Sequence, residues 1–469
     1  MALMTPEQYR ESLRDGRVNY MYGERIEDVT SHPEMKVPVE TASQDYDYES
    51  PGMRDVRTYQ TEDGTDAHRV FQIPRSEEDL HKRVEMMHHT SILGGTTAVY
   101  MALMNAREQL GQVKPEYASN VETIYKYARD NDLRAVEAIT DAKGDRSRRP
   151  VDQDDLDLYT RIVDRTDEGI IVRGAKLHIT AACLAHEIVV MPTKAMGPGE
   201  EEFSVSFSIP ANTPGVKVIN QTYAEPDLST FDYPLSGRHN MPEGFIVFDD
   251  VLVPWDRVFL AGEHQLAGVF AHALGLWERI GGLVAMVERS KLLVGIAQLL
   301  AEYHGINKAG HIQEKITELI FYAELLRMSL DNALRNYETT EDGMVYPNAL
   351  EVNVGKYYGA SGWHGMMRNI HDISGGIVVT LPSEADLRNE ETEGYLRKYL
   401  HTKSDVDVED RMKLINLVRD LTADAYGGWE LVTTIQAGGG LAAQKIVTYR
   451  NYDLTDAMDA AKEAAGIGT

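Results

Sequence analysis

Three regimes of hydrophobic spacing follow one another along the chain. Up to about Asn131 apolar residues recur at helical intervals in pieces, most clearly over Leu80 to Ala106 and Tyr117 to Ala128. A stretch crowded with charge, Gly and Pro follows, DAKGDRSRRPVDQDD from Asp141 to Asp155, and reads as a boundary. Beyond it the period drops to two. Phe203, Val205, Phe207 and Ile209 alternate with Ser204, Ser206 and Ser208, which predicts a half-buried strand. Ile170 to Val172, Ile188 to Met191, Val216 to Ile219 and Phe245 to Phe248 are further short β-rich runs between Gly, Pro and Asp. Several short strands at this spacing suggest a compact β-barrel or sandwich. From about Leu266 the helical period returns, with Ile316, Leu319, Ile320, Ala323, Leu326 and Leu330 on one stripe. Comparable helices over 275–303, 350–373 and 409–425 suffice for an up-and-down bundle. The expected fold is α+β in three parts: a mainly α N-terminal domain over 1–140, a middle β-barrel domain over 141–265, and a C-terminal helical bundle over 266–469.

Length agrees with that division, since 469 residues allow about three domains of roughly 150 residues. Charge narrows the partners. Lys and Arg number 47 against 74 Asp and Glu, and the resulting net charge of -27 repels phosphate backbones and anionic lipid. Neither nucleic acid nor a membrane surface is an expected partner. The start, MALMTPEQYRES, has no basic segment followed by an apolar core, so no secretory leader is read there. The most apolar run, Ile280 to Val287, is stopped by Glu288 and Arg289 and is far too short to span a bilayer. A cytoplasmic location is expected. Cys183 is the only cysteine, which excludes an internal disulfide and any cluster or zinc site built on several thiolates.

Generic motifs add little. Gly438, Gly440 and Ala443 satisfy a G-x-G-x-x-A pattern after the apolar run Leu431 to Ile435. A dinucleotide fold needs a whole βαβ unit and an acidic residue about 20 residues on, and neither follows. The glycines read better as a turn where backbone approaches a ligand. P-loop, zincin and serine-hydrolase motifs are missing. His88 and His89 point about 100° apart if helical, and His186 and Glu187 face opposite sides if extended, so no metal site is expected.

Longer segments carry a family resemblance. TPEQYRESLRDGRVNYMYGERIEDVTSHP, FDYPLSGR (231–238), VLVPWDRVFL (251–260) and GGIVVTLPSEADL (375–387) resemble the 4-hydroxyphenylacetate 3-monooxygenase family. AITDAKGDRS, IVVRGAKLHIT and HEIVVMPTKAM are similar to its 4-hydroxybutyryl-CoA dehydratase branch. The matches run nearly end to end and in order. The resemblance implies an acyl-CoA dehydrogenase-like fold, which the order helix, β, helix bundle also matches, and a homotetramer with FAD at a subunit interface. The stretch Thr140, Asp141, Ala142, Lys143, Gly144, Asp145, Arg146, Ser147 matches the segment that holds FAD. Lys143 and Arg146 can pair with a pyrophosphate, and Gly144 admits close backbone approach. Thr180 matches a threonine at the isoalloxazine, and Ala437, Gly438, Gly439 and Gly440 match a C-terminal flavin contact.

The chain also departs from its relatives. The dehydratase holds an iron–sulfur cluster on three cysteines and a histidine, and one cysteine cannot supply that set. The hydroxylases surround a phenol with an arginine, a tyrosine and a histidine. Here Tyr100 keeps the tyrosine, Thr96 stands for the arginine and Glu137 for the histidine. Without the guanidinium a carboxylate-bearing phenol fits poorly. Glu137 becomes a candidate base or amine receptor, its structural alternative being a helix-end ion pair. His89 is the candidate imidazole, with Glu263 and His264 as outlying candidates. The function implied is a two-component monooxygenase. A separate flavin reductase supplies reduced FAD, O2 adds at C4a, and the peroxide hydroxylates a phenolic or aniline-like small molecule. The alternatives are a cluster-free flavin lyase or isomerase acting on an acyl-CoA, and a non-catalytic flavin binder.

Overall fold

The computed structural model describes residues 3–468; residues 1 and 2, in the segment read for a secretory leader, and 469, at the end of the last expected domain, lie outside the described residues. Seven helices dominate the N-terminal part: α1 (Pro6–Ser12), α2 (Lys36–Ser43), α3 (Met53–Arg57), α4 (Glu77–Met87), α5 (Ile92–Thr96), α6 (Val99–Val113) and α7 (Pro115–Asp130). Two small strand pairs accompany them, β1 (Asn19–Met21) with β2 (Glu24–Ile26) and β3 (Thr58–Gln60) with β4 (Asp66–His68). Their starts follow local chemistry. Thr5 and Gln8 form a capping box on α1, and Ser76 caps α4 through the Asp79 N–H.

Eight strands follow: β5 (Ala135–Ala138), β6 (Arg161–Arg165), β7 (Gly169–Thr180), β8 (Glu187–Val190), β9 (Val205–Pro210), β10 (Val216–Gln221), β11 (Glu243–Pro254) and β12 (Val258–Ala261). They do not close into the expected barrel. One sheet runs β2-β1-β10-β11-β7-β6 and the other β12-β9-β8-β5. Both remain open because their edge strands have no further ladder partner, and Phe207 of one sheet meets Phe248 of the other edge-on at 5.8 Å. The sandwich is therefore the form adopted. Three of its strands come from before the charged boundary: β1 pairs parallel with β10 and carries β2 on its other side, and β5 pairs parallel with β8.

The serine strand departs from expectation as well. Ser204, Ser206 and Ser208 are fully buried, not solvated. Helices α5 and α6 pack on β5 and α7 on β12, covering the sheet face that the alternation left polar. The hydroxyls are satisfied internally: Ser204 donates to Glu200 O, Ser206 to Val190 O and Ser208 to Glu187 Oε2.

The bundle comprises α8 (His264–Tyr303), α9 (Gly310–Arg335) and α10 (Ala349–Ser374), with the strand pair β13 (Glu338–Thr339) and β14 (Val345–Tyr346) between the last two. Helices α11 (Glu384–Arg388), α12 (Glu393–Tyr399), α13 (Val408–Thr422), α14 (Ala425–Gln436), α15 (Leu441–Asn451) and α16 (Leu454–Ala465) complete the chain. The α9 stripe is buried at Ile316, Leu319, Leu326 and Leu330, while Ile320 is 42% exposed. One continuous core links all three parts, and a small second core under α11 and α12 gathers Leu381, Leu387, Leu400, Met412 and Ile415. Cys183 lies in the main core, its Sγ 3.9 Å from Met35 Sδ. No helix among the described residues is long and apolar enough to cross a membrane.

Candidate active site

The seam between sheets and bundle collects the chemistry. Glu137 sits in the middle of β5, where Val136 and Ala138 turn into the core and the intervening side chain turns the other way, half-buried. It makes no ion pair or hydrogen bond among the described residues, so the helix-end ion pair does not exist. Burial, and then the charge of Glu278 on α8, push its carboxyl well above the usual range. Glu278 is raised by burial too, against the Gly438 N–H, Lys356 and Arg279. The repulsion between two such carboxyls disfavours ionising both at once.

The glycine turn 437–440 closes this end. Gly438 donates its N–H to Glu278 Oε1 at 2.8 Å and accepts at its carbonyl from Arg279 Nε at 2.7 Å. Its φ is +71°, and a Cβ there would lie 2.8 Å from Arg279 Cγ, so glycine is required. Ala437 ends α14, Gly439 also has positive φ, and Gly440 caps α15. The run before the turn is helix α14 rather than a strand, which removes the dinucleotide pattern. Lys356 on α10, 1% exposed, donates to Thr434 O at 2.7 Å, and burial brings it down to about 8 with Glu278 opposing.

Thr180 marks the other end. It is the last residue of β7, and its hydroxyl donates to Glu243 Oε2 at 2.9 Å. Trp429 of α14 donates its indole N–H to Glu243 Oε1 at 3.1 Å and stacks on Tyr223 at 5.3 Å. Helix α14 thus joins both ends, with Trp429 in its second turn and the glycine turn just past its last residue, Gln436.

The segment 140–147 lies alongside β7. Thr140 O accepts from Leu177 N at 2.7 Å. Asp141 is consumed structurally: its Oδ1 lies 2.8 Å from buried Lys176 Nζ and 2.9 Å from Thr160 N. Asp145 caps Ser147 through both N–H and hydroxyl. Ala142 and Lys143 are half-buried, Gly144 and Arg146 exposed, and neither Lys143 nor Arg146 has an ion-pair partner among the described residues. Two unpaired cations on a turn suit an anionic ligand.

Two expected positions fall elsewhere. Tyr100 is fully buried in the N-terminal core between Phe71 and Tyr125, at ring distances of 5.7 and 6.5 Å, with its hydroxyl unpartnered. The charges acting on it are Glu187 and Arg257, not Glu137. His89 is on the surface, 3.3 Å from Glu85, one turn back. Thr96 donates to the carbonyls of Leu93 and Ala135. Glu263 pairs with Lys114 and His264 with Glu201. Conversely, Glu278, Lys356, Glu243 and Trp429 were not singled out. Glu278 carried a signal, a carboxylate inside the apolar run LGLWERIGGL; the others became visible only through pairing distant in sequence.

The glycine cradle, the unpaired cations, and the half-buried hydroxyl and aromatic groups fit a flavin dinucleotide. The arrangement defines an acyl-CoA dehydrogenase-like flavoprotein. The chain belongs to the 4-hydroxyphenylacetate 3-hydroxylase family, whose N-terminal profile matches residues 5–260 and whose C-terminal profile matches residues 267–466. It is 31% identical to the 4-hydroxyphenylacetate 3-monooxygenase oxygenase component of Thermus thermophilus, over 90% of this chain and 89% of that one. It is 30% identical to the 4-hydroxybutyryl-CoA dehydratase/vinylacetyl-CoA-Delta-isomerase of Clostridium aminobutyricum, over 99% and 100%. The solved oxygenase component HpaB complexed with FAD superposes with a TM-score of 0.89, at 28% identity, covering 98% of this chain and 99% of that one.

Proposed function

We propose that this protein is the oxygenase component of a two-component monooxygenase, using reduced FAD from a separate flavin reductase to hydroxylate a phenolic or aniline-like small molecule with O2. The observation that carries the reading is the set of flavin-compatible groups, Thr180, the unpaired Lys143 and Arg146, and the 437–440 turn, in a chain aligned over most of its length with oxygenase components of the family. Reduced FAD, when bound, supplies the electrons with which O2 is activated and one oxygen atom is inserted into the ring.

The chain's own residues bind, orient and move a proton. Lys143 and Arg146 hold the pyrophosphate, Gly438 to Gly440 let backbone approach the cofactor, and Thr180 meets the ring edge. Glu137, its proton affinity raised by burial and Glu278, takes the proton of a phenol at its carboxylate oxygen or accepts a hydrogen bond from an aniline N–H. The half-buried aromatic groups Tyr223, Tyr426 and Trp429 exclude water. The working form is a homotetramer, a reading supported by apolar side chains left exposed on α9.

The test is turnover under labelled oxygen with reductase, NADH and FAD present, across a panel of phenols and anilines. One labelled atom in the product is expected. The coverage of the dehydratase favours a second reading, a cluster-free lyase or isomerase on an acyl-CoA. Oxygen-independent conversion of an acyl-CoA thioester would replace the first reading with it.

A further inference from the structure

Helix α14 stops one hydrogen bond early, and opposite charges take the two halves of that bond. Continued regularly, the helix would next join the Gly438 N–H to the Thr434 carbonyl four residues back. At Gly438 the backbone turns instead to a φ of +71°. The N–H donates to Glu278 Oε1 of α8 at 2.8 Å, and the carbonyl accepts from Lys356 Nζ of α10 at 2.7 Å. Both groups are paired although the helix is broken, so the turn 437–440 leaves α14 in a fixed direction.

Reaching Thr434 takes room. Lys356 is 1% exposed, and its side chain crosses α8 at Gly282, where a Cβ would lie 2.8 Å from the lysine Cε. A glycine inside a helix weakens it, so Gly282 is a concession of α8 to a side chain of α10. The far side of the turn is tied to α10 as well. Asn353, three residues before Lys356 and fully buried, donates to Gln444 O at 2.6 Å. Gln444 Nε2 in turn donates to Gly439 O at 2.7 Å.

We propose that Lys356 is a positioning residue for the cofactor: admitted by Gly282, its ammonium holds the Thr434 carbonyl and keeps the 437–440 turn in the form that receives the flavin. This rests on the reading above that the turn contacts the flavin. It adds two residues, on α10 and α8, that act through the turn.

The test is FAD titration by flavin fluorescence beside thermal melts of the FAD-free protein. Gly282→Ala keeps every charge but displaces the Lys356 side chain, and it should weaken FAD binding about tenfold, the weight of one hydrogen bond. Its FAD-free Tm should equal or exceed that of wild type, because alanine favours the helix. Lys356→Met should weaken binding by the same factor. The double variant should bind no more weakly than either single one, since both act through one ammonium. Should Lys356→Met not fold, Gly282→Ala read alone still decides. Wild-type affinity in Gly282→Ala would overturn the proposal, as would losses that add in the double variant. Parallel loss of affinity and Tm in Gly282→Ala would overturn it too, because that marks a packing role alone. Failure of the wild type to bind FAD would remove the flavoprotein reading itself, and shows before any variant is made.

Discussion

Glu137 has lost part of the hydration of an ordinary carboxylate and feels the charge of a second one, Glu278, without a donor of its own. Its folded-state pKa lies above the unfolded value, so the folded chain holds the proton more firmly. Stability is then greatest below the ordinary carboxylate range and is lost as pH rises through the raised pKa. Glu137→Gln cannot ionise. It is expected to match the wild-type Tm near about pH 4 and to exceed it above the raised pKa, a crossover that thermal melts in a pH series will detect. Asp141 is the opposite case, a carboxylate held by buried Lys176. Asp141→Asn leaves that ammonium without a counter-charge, at a cost of about 3–5 kcal/mol measurable by urea unfolding. The family resemblance places Asp141 among the flavin contacts as part of the matching stretch 140–147. A charged loop does not reveal which of its members turns inward.

Helix α14 is the element on which the site depends. It carries Trp429 to Glu243 at one end and delivers the glycine turn to Glu278 and Arg279 at the other. Gly438→Ala would push a methyl group onto the Arg279 side chain at a positive φ. FAD binding should weaken about tenfold while the bundle stays folded, judged by fluorescence titration beside circular dichroism. Much of the element pattern was legible. The runs at Ile170, Ile188, Val216 and Phe245 all became strands, the helices expected over 275–303, 316–330 and 350–373 fall within α8, α9 and α10, and the one expected over 409–425 is α13, which ends at Thr422 before α14 begins. Alternation misled at Ser204 to Ser208, because a small hydroxyl satisfied by neighbouring carbonyls can be buried as readily as solvated. The pairing of Glu137 with Glu278 was not legible, since no local spacing relates a β5 residue to an α8 residue.

At the scale of the whole molecule, order along the chain was the strongest signal, while sheet closure was not encoded in any one strand. Parallel pairing of β1 and β5 with later strands set the two open sheets. The described surface leaves Phe321, Leu325 and Met328 of α9 exposed, and Leu454 and Met458 of α16 are exposed as well. In the proposed tetramer these faces are covered by other copies. Deleting residues 453–469 is expected to lower the assembly state without unfolding the subunit, as sedimentation and melting measured together will register, since every described residue of 453–468 is exposed.

Cys183 lies under this architecture at 1% exposure, its thiol pushed up to about 12 by burial. It is the only thiol in the chain, and it is closed to alkylation in the folded state. A single cysteine introduced at an exposed position such as Tyr399, 72% exposed on α12, can therefore take a maleimide dye without removal of the native cysteine. The protein comes ready for fluorescent labelling, and a probe on the small second core can follow that lobe while flavin binds.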